Sequence, residues 1–254
     1  MVRGLEQFKK YFEAFTDQYV LIGGVACTVA MEDAELDFRA TKDLDIVLCV
    51  ETLSRDFVKS FWDYVKAGQY QNRQKSSGKN LFYRFHAPED KAFPEMLELF
   101  SRKPDALEIG EDCHLTPIPT EEDLSSLSAI LMADDYYALV QQTREEIDGL
   151  PIIPAQALIP FKAKAWLNLV EQQANGESVD SSDIKKHRND VFRLFQLLAP
   201  ESSVSLPDSI KSDLKSFLDR MVEEKTLKVK DLGIKTSNLE TVLGFLRKIY
   251  DIDS

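Results

Sequence analysis

Two aspartates two residues apart, Asp43 and Asp45, carry the chemistry most readily read from this chain. From Asp43 to Val50 the apolar Leu44, Ile46 and Leu48 alternate with Asp43, Asp45 and Val47, the period of a strand with one buried face. Both carboxylates therefore project from the same side. Like charges side by side repel, and the common reason for keeping them is a divalent cation held by carboxylate oxygens. Taken alone, in so acidic a chain, the pair would sooner be read as two solvated acids on an edge strand. Upstream, however, Tyr19-Val-Leu-Ile22 reads as a short strand running into Gly23-Gly24 and then a helical pattern from Val25 to Asp33. A strand, two glycines and a helix start place unpaired backbone N–H groups where a phosphate can approach with no Cβ in the way. A Gly-Gly corner alone is ordinary. Followed closely by paired carboxylates, it completes what a nucleoside triphosphate requires, a phosphate cradle beside a metal.

Gly23-Gly24 followed by Thr41-Lys-Asp-Leu-Asp-Ile46 resembles the first motif of the DNA polymerase β-like nucleotidyltransferase superfamily. The wider pattern, from Tyr19 to about Leu198, is similar to its AbiEii-type toxin branch and related bacterial proteins. One departure is that the superfamily's commoner Gly-Ser is Gly-Gly here, which removes a hydroxyl contact to phosphate but not the backbone cradle. The resemblance implies an α+β fold: a mixed sheet with flanking helices over residues 1–153, then a C-terminal α-helical domain over 154–254. It implies transfer of a nucleoside monophosphate from an NTP to a hydroxyl, with Mg²⁺ or Mn²⁺. Asp43, Asp45 and Glu98, the last in Met96-Leu-Glu-Leu-Phe100, would hold the metal, and Glu98 would also take the proton of the attacking hydroxyl. Gly23, Gly24, Thr41 and Lys42 would bind the nucleotide. A lysine on the first late helix, Lys162 or Lys164, would meet phosphate charge, with Lys164 spaced more like the family pattern relative to Trp166 and Leu167. Lys186 would do the same from the next helix, and Asp190 would orient a lysine. The acceptor is an RNA end or a protein side chain, the branch-level expectation being a toxin silenced by a separately encoded antitoxin. The alternatives are a small-molecule nucleotidyltransferase acting on an aminoglycoside-like acceptor, and a nucleotide-binding module without turnover.

The elements that must position these residues follow from spacing. Leu5, Phe8, Phe12 and Phe15 mark an opening helix. Thr52 or Ser54 can cap a helix reaching Lys66, with Phe57, Phe61, Trp62 and Val65 as its buried stripe. Residues 69–80 are polar around Ser-Ser-Gly and read as a loop. In the strand 81–86 that follows, Tyr83 and Phe85 take one face, and Arg84 and His86 the other. Further strands are expected at 114–118, 127–131 and 149–153, with a helix over 134–147. From Pro154 the pattern turns helical, at 155–173, 182–198, 207–223 and 237–250. The first of these has a stripe of Leu158, Phe161, Ala165 and Leu169. On the second, Asp183, Lys186, His187 and Asp190 share a polar face, while Ile184, Val191, Phe192 and Phe195 point inward.

The 254 residues suffice for one large or two medium domains, and 44% of them are hydrophobic. No apolar run nears the roughly 20 residues of a membrane span, and no signal-peptide core is present, so the expectation is a cytoplasmic protein without membrane partners. Cys27, Cys49 and Cys113 lack metal or redox spacing and read as small apolar residues. With 43 acidic against 31 basic residues, the formal net charge is −12. Such a molecule repels nucleic acid at long range, so RNA would have to use local patches: Arg73, Lys75, Lys79 and Arg84, or Lys185, Lys186, His187 and Arg188.

Overall fold

The computed structural model describes residues 2–74, 80–102, 115–117, 128–224, 227–235 and 237–252. They fall into two compact units, Met1–Asp33 with Arg39–Ile153, and Ala34–Phe38 with Pro154–Ser254. Residues 34–38 thus belong with the later helices, although the sequence places them in the first domain. Part of the reason is Arg193, whose guanidinium lies 6.0 Å from the centre of the Phe38 ring.

In the first unit α1 (Leu5–Phe12) leads through a 3₁₀ turn to β1 (Tyr19–Ile22), α2 (Gly23–Asp33), β2 (Asp43–Leu48) and α3 (Arg55–Ala67). Then come β3 (Gln71–Gln74), β4 (Asn80–His86), β5 (Met96–Ser101), β6 (Leu115–Pro117), β7 (Ser128–Leu131), α4 (Asp134–Thr143), β8 (Glu145–Ile147) and β9 (Leu150–Ile152). The strands form one sheet in the order β3-β4-β5-β2-β1-β9-β8, with β7 against β5 and β6 against β7. Because β2 runs parallel to β5 and antiparallel to β1, the sheet is mixed, and with its helices it makes the α+β layer expected.

Two elements correct the sequence reading. The polar stretch taken as a loop contains β3, which pairs with β4 through a register shift between Asn72 and Gln74. A polar edge strand needs only one partner's backbone and gives no alternation to detect. The helix expected to reach 147 stops at Thr143, and Glu145–Ile147 instead pairs with Leu150–Ile152. Asp148 and Gly149, both at positive φ (50° and 69°), make the two-residue turn that matches strand twist.

One face of the sheet carries a buried aromatic layer. Phe8 and Phe12 of α1, Tyr19 of β1, and Phe57, Phe61 and Tyr64 of α3 are all buried. Phe8 meets Tyr19 edge-on at 5.4 Å, and Phe61 meets Phe85 of β4 at 5.5 Å. Ser54 caps α3 by accepting from the Phe57 amide at 3.1 Å. Leu44, Ile46 and Leu48 share this face with Leu97 and Tyr19 by register, so the odd positions Asp43 and Asp45 point to the other. Helix α2 packs on β1 and β2 and is buried from Gly24 to Met31, a run in which Thr28 is the one residue with a polar side chain, its hydroxyl donating to Gly24 O at 3.0 Å.

The second unit comprises α5 (Ala155–Ala174), α6 (Ser181–Phe195), α7 (Asp208–Val222) and α8 (Leu239–Ile249). Asp180 caps α6, accepting from the Ser182 amide at 2.8 Å. Helix α5 contains Pro160, which has no N–H to give the carbonyl four residues earlier. That carbonyl, Gln156 O, instead accepts from the Tyr250 hydroxyl at 2.9 Å. Trp166 meets Phe217 edge-on at 5.3 Å. The buried stripe of α5 includes Leu158, Lys162, Ala163 and Trp166. Phe161, Ala165 and Leu169, expected on that stripe, are half-buried, a rotation that brings Lys162 into the core. Among the described residues no helix is long and apolar enough to cross a membrane. Cys27 and Cys49 are buried thiols, whereas Cys113 and His114 lie outside the described residues.

Candidate functional site

Four strands align one row of residues on the face away from the aromatic layer. Ile22 on β1 is in register with Asp45 on β2, Asp45 with Glu98 on β5, and Glu98 with Arg84 on β4. One step along, Asp43 is in register with Met96 and Met96 with His86. Register partners share a face, so Asp43, Asp45 and Glu98 stand on the same side of the sheet. Asp43 and Asp45 are half-buried, and Glu98 is buried.

At the end of this row the chain turns from β1 into α2 at Gly23, with φ at 67°, a conformation that side chains with a Cβ avoid. A Cβ added there would overlap the Asp45 Oδ2 atom. A Cβ on Gly24 would lie 2.6 Å from Thr41 Oγ1 and 3.6 Å from Arg39 Nη2. The two glycines thus let a carboxylate, a hydroxyl and a guanidinium come close against the backbone at the start of α2. The first amides of α2, which lack helical partners, also lie here. Arg39 escaped the sequence reading. Its signal was position, two residues ahead of Thr41 in the same segment that supplies Asp43.

Arg84 binds Glu98 through two nitrogens that converge on Oε1, Nε at 2.6 Å together with Nη2. Among the described residues no three His, Cys, Asp or Glu side chains are grouped so as to hold a metal ion. Asp43, Asp45 and Glu98 therefore share a face without converging on one ion, because Glu98 is turned to Arg84. Two carboxylates side by side on one strand still suit Mg²⁺, which protein sites hold through one or two carboxylates with waters and substrate phosphates.

Lys42 lies at the surface of this unit, 3.2 Å from Glu95. The remaining expected residues belong to the helical unit. Lys162 Nζ lies 3.4 Å from Asp190 Oδ2, and Arg193 Nη1 lies 3.4 Å from Oδ1 of the same carboxylate. Asp190 is fully buried, not on the polar face assigned to it. Lys164 is part-exposed and pairs with Asp213 of α7 at 2.8 Å. Lys186 pairs with Asp183 at 3.6 Å, rather than with Asp190. Of the basic patch on α6, Arg188 is taken by Glu224 at 2.9 Å, so with Lys186 two of its three formal positive charges have acidic partners. In the other patch Arg84 is committed to Glu98, and Lys75 and Lys79 lie outside the described residues.

No family sequence profile and no curated protein sequence matches this chain. Among solved structures, an antigenic nucleotidyltransferase-like protein from Paracoccidioides brasiliensis aligns over 97% of this chain and 97% of its own, at 13% identity and a TM-score of 0.46. JHP933 from Helicobacter pylori aligns over 96% and 90%, at 13% identity and a TM-score of 0.45. The roles of individual residues rest on the geometry of this chain.

Proposed function

We propose that the face carrying Asp43, Asp45 and the Gly23-Gly24 turn is a nucleotidyl-transfer site. It moves a nucleoside monophosphate from an NTP to a hydroxyl on RNA or protein, and the resemblance extends this to a toxin paired with an antitoxin. The observation that carries the reading is the Gly23–Asp45 approach. Only a residue without a Cβ lets the backbone at the start of α2 sit against the Asp-x-Asp pair, so phosphate and carboxylates share one small space. Amides of the α2 first turn, with Arg39 and Thr41 at the border, orient the phosphates and offset their charge. Asp43 and Asp45 would hold Mg²⁺, which when bound supplies charge neutralisation at the transferring phosphoryl group. Glu98 is held by Arg84 through Oε1, and its second oxygen would receive the acceptor's proton.

Calorimetry with each of the four NTPs, with and without Mg²⁺, tests the site directly. Binding should require the metal, and Asp43→Asn with Asp45→Asn should abolish that requirement's effect while leaving the unfolding midpoint in place. Equal NTP affinity in the double variant would sink the assignment.

A further inference from the structure

We propose that Arg84 reads a phosphate on the acceptor, so that the hydroxyl receiving the nucleotide is flanked by phosphate, as at an oligonucleotide end or on a free nucleotide. The inference rests on the transfer reading above. In displacement at phosphorus the entering and leaving oxygens stand roughly in line on opposite sides. Here the two sides of Asp45 differ. On the β1 side lie Gly23 and Gly24, where a leaving pyrophosphate is cradled. On the other lie β5 and then β4, strands about 4.8 Å apart, carrying Glu98 and Arg84 in the same row. The entering hydroxyl therefore comes over Glu98, and the rest of the acceptor over Arg84.

The groups waiting there have a definite sign. Arg84 spends Nε and Nη2 on a single oxygen of Glu98, which leaves the two N–H donors of Nη1 for a further partner. Its side chain keeps 33% of its surface exposed. Two residues on, His86 lies half-buried on the same face in register with Met96. A guanidinium already braced by a carboxylate presents its remaining donors at a fixed angle, the arrangement suited to a phosphate oxygen. A polycationic acceptor such as an aminoglycoside would meet like charge at this position.

Binding measurements on the full chain decide the matter without turnover. The probes are a fluorescein-labelled single-stranded RNA of about ten nucleotides with a free 3′ hydroxyl, a nucleoside 5′-monophosphate and an aminoglycoside. The two phosphate probes separate a chain end from a free nucleotide. Arg84→Gln should weaken the phosphate probe that binds about ten- to a hundredfold, and Arg84→Lys should recover part of the loss. Arg84→Gln combined with Glu98→Gln separates reading from neutralising: the double variant stays weak if Arg84 touches the phosphate. A return to wild-type affinity in the double variant would mean that Arg84 only masks Glu98, and would overturn the proposal. So would failure of both phosphate probes to bind the wild-type chain, or aminoglycoside binding that ignores Arg84. Mg²⁺-dependent NTP affinity in Asp43→Asn with Asp45→Asn, which leaves Arg84 in place, reports the transfer site separately: its loss there supports the transfer reading, whatever the phosphate probes show.

Discussion

Lys162 and Asp190 form an ion pair that solvent does not reach: Nζ lies 3.4 Å from Oδ2, and the side chains are 4% and 0% exposed. Removing one member of such a pair strands a buried charge, which costs about 3–5 kcal/mol, whereas replacing both with apolar residues of similar volume is often near neutral. Asp190→Ala, which strands Lys162, should therefore lower the urea-unfolding free energy by that amount, Lys162→Ala should cost less because Arg193 still pairs with Asp190, and Lys162→Met with Asp190→Leu should recover most of the Asp190→Ala loss. Lys164→Ala, which breaks only the part-exposed pair with Asp213, should cost less than about 1 kcal/mol. Similar losses for Asp190→Ala and Lys164→Ala would contradict this division.

Gly23→Ala should be more damaging than its size suggests. The left-handed backbone at this residue costs a Cβ-bearing side chain about 1–2 kcal/mol, and the new methyl would displace the Asp45 carboxylate. NTP affinity in Mg²⁺ should fall by about tenfold or more with the fold retained by circular dichroism. Wild-type affinity in Gly23→Ala would show that the cradle is not where phosphate binds.

The Tyr250 hydroxyl replaces the hydrogen bond that Pro160 denies to Gln156. Tyr250→Phe leaves that carbonyl unsatisfied and should cost about 1–3 kcal/mol. Adding Pro160→Ala restores an N–H to the helix and should return part of the loss, a coupling readable in a double-mutant cycle. Strict additivity of the two substitutions would refute the substitution of one donor for the other.

Glu51 gives a pH dependence of known sign. Partial burial pushes its carboxyl up, but the Tyr137 hydroxyl at 2.5 Å and Arg102 at 2.8 Å outweigh this and hold it below the ordinary value. A depressed carboxyl contributes stability above its unfolded pKa and loses it as pH falls through the folded one. The gap in urea midpoint between wild type and Glu51→Gln should be full above the ordinary carboxylate range and should close as pH falls through the depressed folded-state value. A gap that widens with acid would reverse the assignment.

How far the sequence could be read depended on whether the signal was local. The Asp43–Ile46 alternation and the Gly-Gly corner are short-range patterns, and the structure puts both carboxylates on one face at the end of β1. Strand β3 was invisible because Gln71-Asn-Arg-Gln74 has no apolar period, its stability coming from backbone pairing. Strand β8 was misread although Asp148-Gly149 announces its turn, since the helical spacing upstream ran smoothly into it. Asp190 sits at a polar helical position, and the charge that draws it inward is Lys162, on another helix 28 residues earlier. The Arg84–Glu98 contact is a matter of strand register, which neither residue's neighbours encode.

Because residues 34–38 pack with the helices while Asp33 and Arg39 belong to the sheet unit, the chain passes between its two units three times. A single proteolytic nick after Ile153 would cut only one of those passages and leave the fragments laced together. Expressed alone, residues 1–153 would carry Phe38 without the Arg193 that covers it. A fragment meant to isolate the sheet would thus bring a sticky, unanchored segment directly ahead of Arg39, Thr41 and Asp43, the residues whose placement it was made to study.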